Sequence, residues 1–211
     1  MDMNSAGISS SSASGCRPAR AVLALVLTVI GCPARSFVAD IDGNTYPVVV
    51  VGTQTWLGTN LRTTRAPDGR PLITHLPAND SSRSRSLGLL YDWANARPAC
   101  MRGWQLPSDG DWSIVAALLG PDAGGALKDT VFWSAPNVGA TNRSGFSARP
   151  SGYWSAGEFD DLVGQAAVYW SATQQDTHFV WTRSLAAVHD SLRRVSQHPN
   201  YGLAVRCIKT P

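Results

Sequence analysis

Thirteen consecutive residues, Cys100-Met101-Arg102-Gly103-Trp104-Gln105-Leu106-Pro107-Ser108-Asp109-Gly110-Asp111-Trp112, constrain the fold of this chain more than any other stretch. Their second half is a complete helix start. The Ser108 hydroxyl can cap the first turn, Asp111 can reach back to the cap residue, and Asp109 and Asp111 oppose the positive end of the helix dipole. Trp112, Val115, Ala116, Leu118 and Leu119 share one face at helical spacing, and Gly120-Pro121 supplies a stop. The spacing predicts a helix over Asp109–Leu119. These residue types serve folding rather than catalysis.

Four cysteines occur, at 16, 32, 100 and 207. Arg17 and Arg20 precede an uninterrupted apolar run from Ala21 to Ile30, followed by Gly31 and Cys32, the pattern of an export signal. The run is about half the ~20 residues a helix needs to cross a bilayer, so it does not read as a permanent anchor. Val29-Ile30-Gly31-Cys32 resembles the bacterial lipobox, in which the cysteine is acylated and becomes the first residue after cleavage. Residues 1–31 are therefore read as a lipoprotein signal peptide, Cys32 as the lipidation site, 32–39 as a short membrane-proximal linker, and 40–211 as one domain. The alternative is an ordinary secretory signal and a soluble secreted or periplasmic protein. If Cys16 leaves with the signal and Cys32 carries lipid, Cys100 and Cys207 remain in an oxidising compartment, where a disulfide is the simplest account. A metal pair or a redox pair competes with it, but neither cysteine has a second cysteine or a ligating histidine nearby in sequence.

Charge excludes one class of partner. Removing residues 1–31 takes away Asp2, Arg17 and Arg20, a net +1, which leaves +2 of the formal +3. That is no footprint for nucleic acid. All eight tryptophans, at 56, 93, 104, 112, 133, 154, 170 and 181, lie after Cys32. Most are expected in the core, while an exposed subset is what sugar-binding surfaces use for stacking.

The elements are short. Asp42-Gly43-Asn44 reads as a turn, Tyr46 to Val51 as a β-branched strand, and Gln54 to Leu57 as its hairpin partner. Residues 62–86 read as loop and Leu89 to Ala94 as extended. Ala123 to Asp129 suits a short helix. Further strands are expected at Gly145 to Ala148, Val168 to Ala172, Phe179 to Leu185 and Gly202 to Lys209. Strands with long connections and one or two short helices make an α+β domain.

Several ordered blocks resemble the Fibrobacter succinogenes major paralogous domain family, from about Asp40 to Lys209. They are Asp42-Gly43-Asn44-Thr45-Tyr46, Gln54-Thr55-Trp56-Leu57 with Asn60-Leu61, Leu90-Tyr91-Asp92-Trp93, and the Gly103 to Trp112 segment. Gly124-Gly125-Ala126-Leu127-Lys128, the block Pro136 to Phe146, Gly152-Tyr153, Trp170-Ser171-Ala172-Thr173 and Val205-Arg206-Cys207 continue the match. The resemblance implies a C-type-lectin-like fold in the formylglycine-generating group, with short twisted antiparallel strands, in an exported or surface lipoprotein. It also supports pairing Cys100 with Cys207. Gln105 stands where the family commonly has His, Ala204 replaces a frequent Ser, and residues 62–87 lack an aromatic-rich insertion, so roles at those places are not carried over.

Catalysis finds no constellation. His189-Asp190-Ser191 has the letters of a hydrolase triad, but triads are made by spatial geometry rather than adjacency. His75, His178 and His198 show no metal-ligand spacing, and Glu158 with Asp160 and Asp161 reads as a solvated turn rather than a calcium site. A formylglycine-type oxidase would need a reactive cysteine pair. The chain is thus read as a non-catalytic binding or interaction domain of the cell envelope, with no cofactor and no metal. Its expected partners are the membrane, through lipid on Cys32, and a glycan or an envelope protein. A calcium-independent carbohydrate-binding module is the alternative, since the Glu-Pro-Asn and Trp-Asn-Asp motifs of calcium-dependent lectins are missing. Trp154, Trp170 and Trp181 are the candidate ligand-facing aromatics.

Overall fold

Strand β2 (Thr45–Val51) is shared between two partners, and this division starts the architecture. Its first half pairs with β1 (Phe37–Ala39), placing Phe37 opposite Pro47, and its second half pairs with β3 (Gln54–Leu57), placing Val48 opposite Leu57. The structure is a computed structural model that describes residues 36–155 and 162–210. Residues 37–39, expected as linker, are instead the edge strand of the domain. Val38 packs against the core and aligns with Tyr46, so the domain begins earlier than its apolar pattern suggests. Residues 1–31, read above as a signal peptide, and Cys32 lie outside the described residues.

The first sheet has the order β1, β2, β3, β10 (Ile208–Lys209) and β5 (Trp104–Gln105), with every pairing antiparallel. The second runs β4 (Leu90–Tyr91), β9 (Leu203–Ala204), β6 (Ala166–Gln174), β7 (Val180–Ala186) and β8 (Arg193–Gln197). Here β6 and β9 are parallel, a departure from the all-antiparallel expectation. Among the described residues there are four α-helical segments: α1 (Ser84–Leu87), α2 (Trp93–Ala96), α3 (Asp109–Leu119) and α4 (Ala123–Leu127). The class is α+β, rich in sheet.

Helix α3 has the bounds its sequence signals. Ser108 accepts the amide of Asp111, and the Asp111 carboxylate accepts the Ser108 amide at 2.8 Å, a closed capping box. Trp112 and Val115 are buried, but Leu118 is exposed at its rim. Leu118 leans over Gly52 in the β2–β3 turn, where any Cβ would collide with it. Two more helical segments appear than expected. Asp92 caps α2 by accepting the Asn95 amide, which turns the chain where extended structure was anticipated. In the 62–86 segment, two 3₁₀ turns at Pro77–Asn79 and Ser81–Arg83 lead into α1.

The expected strand over Gly202 to Lys209 is two strands in different sheets. Between them Val205, Arg206 and Cys207 carry the chain from the second sheet to the first. Cys207 is bonded to Cys100 there, with Cα atoms 5.9 Å apart. One core cluster surrounds this bridge, with Tyr46, Leu57, Tyr91, Trp170 and Val205, and a second contains Trp56, Trp112, Phe146 and Tyr169. Strand β8 was not anticipated because its Arg-Arg-Val-Ser-Gln sequence lies partly exposed on a sheet edge. The expected strand at Gly145 to Ala148 is a turn, since Gly145 and Ser147 have left-handed φ of 70° and 53°.

Candidate functional site

Buried cations are the residues that reading the sequence missed. Lys128 is fully buried, and its Nζ donates to the carbonyls of Val138 at 2.7 Å, Ala186 at 3.0 Å and His189 at 3.0 Å. Burial draws its pKa below the usual lysine value, and the charge of Asp190 opposes this. Two segments of chain, one at Val138 and the other the β7–β8 connection, are thereby tied to α4. A Cβ on Gly124 would overlap the Ser191 carbonyl, and one on Gly125 the Gly139 carbonyl. The Gly124-Gly125-Ala126-Leu127-Lys128 block is therefore a close-packing device with a cationic pin. One of only two lysines in the chain, inside a glycine-rich block, was the available signal.

Arg206 works in the same way. Its Nη1 donates to the carbonyls of Leu57 and Phe146, and its Nη2 to Asn60 Oδ1 at 2.8 Å and the Ser147 carbonyl at 3.2 Å. Burial pulls its pKa down to about 10, opposed chiefly by Tyr169. The turn 189–191 is occupied too. The carbonyls of His189 and Asp190 accept from Lys128 and from the Gly125 amide, while His189 Nδ1 meets the Ser191 hydroxyl at 3.1 Å. The His189-Asp190-Ser191 letters thus form an anchor for α4. Among the described residues no three His, Cys, Asp or Glu side chains form a metal-sized group. Glu158, Asp160 and Asp161 lie outside the described residues.

The three tryptophan candidates separate. Trp170 does not face solvent: it is 0% exposed on β6, the central strand of its sheet, and its Nε1 donates to the Tyr91 carbonyl at 2.7 Å. Covering on both sides of a central strand removes it as a ligand platform. Trp181 is half-buried, and the Arg194 guanidinium lies 3.3 Å from its ring centroid. Arg194 is fixed there by Asp109, which also holds the buried Arg183, so this ring face is already covered. Trp154 is half-buried and stacks on His75, with centroids 3.7 Å apart and planes 9° apart. Burial lowers the His75 pKa, against the opposing charge of Asp92, which favours the neutral ring in that stack.

His75 belongs to an extended segment that bridges Leu90. Its neighbours Thr74 and Leu76 line an open cleft of about 820 Å³, bounded also by Asn44, Arg62, Arg85 and Leu89. The Asp42-Gly43-Asn44 turn shapes one wall. Asp40 accepts the amides of Asp42 and Asn44, the Asn44 side chain and the Tyr46 hydroxyl. Asn44 Oδ1 in turn receives Arg62 Nε at 3.0 Å. Asp42 docks the 63–65 segment. Burial raises its pKa, but the Thr64 amide, the Arg65 guanidinium and the hydroxyls of Thr64 and Thr63 together outweigh this and hold it at about 2. The ionised carboxylate is thus favoured by the fold, and its contribution is complete above the unfolded value near 4 and lost as pH falls through 2. Melting temperatures of Asp42→Asn are expected to depend less steeply on pH than wild type between pH 4 and 2; parallel profiles would refute this role. A second cleft of about 480 Å³ sits beside the disulfide, lined by Ala99, Met101, Arg102 and Trp104 with Asp40 and Arg65.

The profile of the family described as Fibrobacter succinogenes major domain matches residues 49–209. No curated protein and no solved structure matches the chain.

Proposed function

The chain belongs to the Fibrobacter succinogenes major domain family, and within that family we propose that it is an exported, lipid-anchored, non-catalytic binding domain of the bacterial cell envelope. The observation that carries this reading is the disposition of its polar chemistry. Lys128, Arg206 and the Arg183–Asp109 pair are committed to holding chain segments together, whereas the open cleft beside Asn44 and Arg62 is left facing solvent. Binding sites are typically concave with a few fixed polar groups, which this cleft provides. The Cys100–Cys207 bridge supports export, because such bonds persist in oxidising compartments. It also weighs against a formylglycine-type oxidase, whose cysteine pair must be reactive.

The C-type-lectin-like assignment belongs to this proposal. Its support is the pairing of two five-stranded sheets with a long connection from α4 to β6. Lipid on Cys32 rests on the signal pattern and the lipobox resemblance; none of the described helices is long and apolar enough to cross a membrane. A calcium-independent carbohydrate module is the second reading, favoured by a cleft whose lining has hydroxyls and no carboxylate. Labelled palmitate should enter the wild-type protein and not Cys32→Ala; equal incorporation would refute the anchor. For binding, a glycan array and a pull-down from detergent-solubilised envelope should yield a ligand in at least one format, unaffected by calcium chelation. Blank results in both would overturn the binding reading.

A further inference from the structure

The cleft between the Asp42–Asn44 turn and α1 differs in charge from two other clefts among the described residues. Its lining holds two arginines, Arg62 and Arg85, and no aspartate or glutamate. The cleft beside the disulfide carries Asp40, and its Arg65 is already paired with Asp42. A third, of about 300 Å³ around Ala135 and Val188, has no charged lining residue.

Arg62 is held ready for a ligand. Its Nε donates to Asn44 Oδ1, and its guanidinium carbon lies 5.4 Å from the Tyr46 ring centroid. Asn44 cannot rotate freely, because its Nδ2 donates to Asp40 Oδ2 at 2.9 Å. Asp40, which holds Asn44, spends its oxygens on the turn and on the Tyr46 hydroxyl. Both Nη groups of Arg62 are left without a protein acceptor among the described residues, and exposed Arg85 forms no ion pair there. A guanidinium with a fixed plane and open Nη groups suits a carboxylate or phosphate, which it can engage with two parallel bonds.

The rest of the lining selects within anions. Thr45, Thr64, Thr74 and Ser84 add four hydroxyls. Thr64 already donates its proton to Asp42 and Ser84 to the Ser81 carbonyl, so their oxygens remain as acceptors for ligand hydroxyls. Leu76 and Leu89 supply the apolar part. Cations, hydroxyl acceptors and a small apolar surface match a ligand that carries negative charge, hydroxyl groups and ring C–H faces.

We infer that this cleft binds an anionic saccharide, with Arg62 as the positioned anion contact and Arg85 as the second cation. The inference rests on the binding-domain reading and names its ligand class. A uronate carboxylate and a sugar phosphate are the two sources of that charge, which the experiment separates.

The test is calorimetric titration of the full chain in detergent with an oligogalacturonate, a neutral oligosaccharide of the same length, and a hexose phosphate. At least one acidic sugar should bind roughly tenfold or more tightly than the neutral one, the factor set by a charge-assisted hydrogen bond, and which acidic sugar binds identifies the source of charge. Arg62→Gln and Arg85→Gln should each weaken that binding by about the same factor. Arg85→Gln removes no contact within the fold, so it keeps the test valid if Arg62→Gln proves unstable. Equal affinity for neutral and acidic sugars, or acidic-sugar binding untouched by Arg85→Gln, would overturn the inference and leave the binding-domain reading standing. Failure of all three sugars would also overturn it, while the envelope pull-down decides separately whether the domain binds anything.

Discussion

Lys128→Met is expected to cost about 3–5 kcal/mol, since each buried carbonyl left without its donor costs about 1–3 kcal/mol, and to lower the melting temperature by about 10 °C. Methionine fills nearly the same length but donates nothing. The carbonyls of Val138, Ala186 and His189 would lose a donor together, at a site the lysine leaves fully buried. Those carbonyls come from two separate segments, Val138 from one and Ala186 with His189 from the other, so the loss should loosen the 136–146 block and the β7–β8 turn simultaneously. Amide hydrogen exchange should show faster exchange at Gly125 and Val138, whose amides bond to Asp190 and Ala187 across the same junction. Gly125→Ala is expected to destabilise comparably by forcing the Gly139 carbonyl away. A melting temperature for Lys128→Met within 3 °C of wild type would refute the pin.

Removing the bridge is the second large effect. Cys100 and Cys207 are 107 residues apart, so their bond excludes many extended conformations of the unfolded chain. The chain-entropy treatment gives roughly 4.7 kcal/mol for a loop of about 100 residues. Because both cysteines are buried where the chain crosses between sheets, losing the bond also frees the segment that carries Arg206. The double variant Cys100→Ala with Cys207→Ala is expected to melt about 10 °C or more below wild type. Reductant should reproduce most of that shift in the wild type and none in the variant. A variant as stable as wild type would show that packing alone fixes the crossing.

Much of the local structure was legible in sequence because its causes are local. The Ser108–Asp111 box needs only neighbouring residues, and so do the Asp42-Gly43-Asn44 turn and the β-branched run of β2. The family blocks were legible as well, and the fold gives several of them a physical reason: glycines for close approach, Lys128 and Arg206 for carbonyls, Asn60 for Tyr169 and Arg206. The break in the Gly202–Lys209 run was not legible. An apolar sequence cannot say which sheet each half joins, and that choice follows from β9 pairing with β4 and β6 while β10 pairs with β3 and β5.

The candidate site followed the same division. Trp154, Trp170 and Trp181 look alike in sequence, yet one is central in a sheet, one lies under an arginine and one stacks on a histidine. Each outcome depends on residues far away in the chain, such as Arg194 for Trp181 and His75 for Trp154. The Cys100 to Trp112 segment shows both sides of the matter. By itself it determined a capped helix and a cysteine suited to pairing, since hydroxyls, carboxylates and helical spacing act over a few residues. Only the tertiary structure decided which tryptophan faces stay open and that Arg62 borders a cleft free of carboxylates. Those properties depend on how distant segments exclude water and share hydrogen bonds.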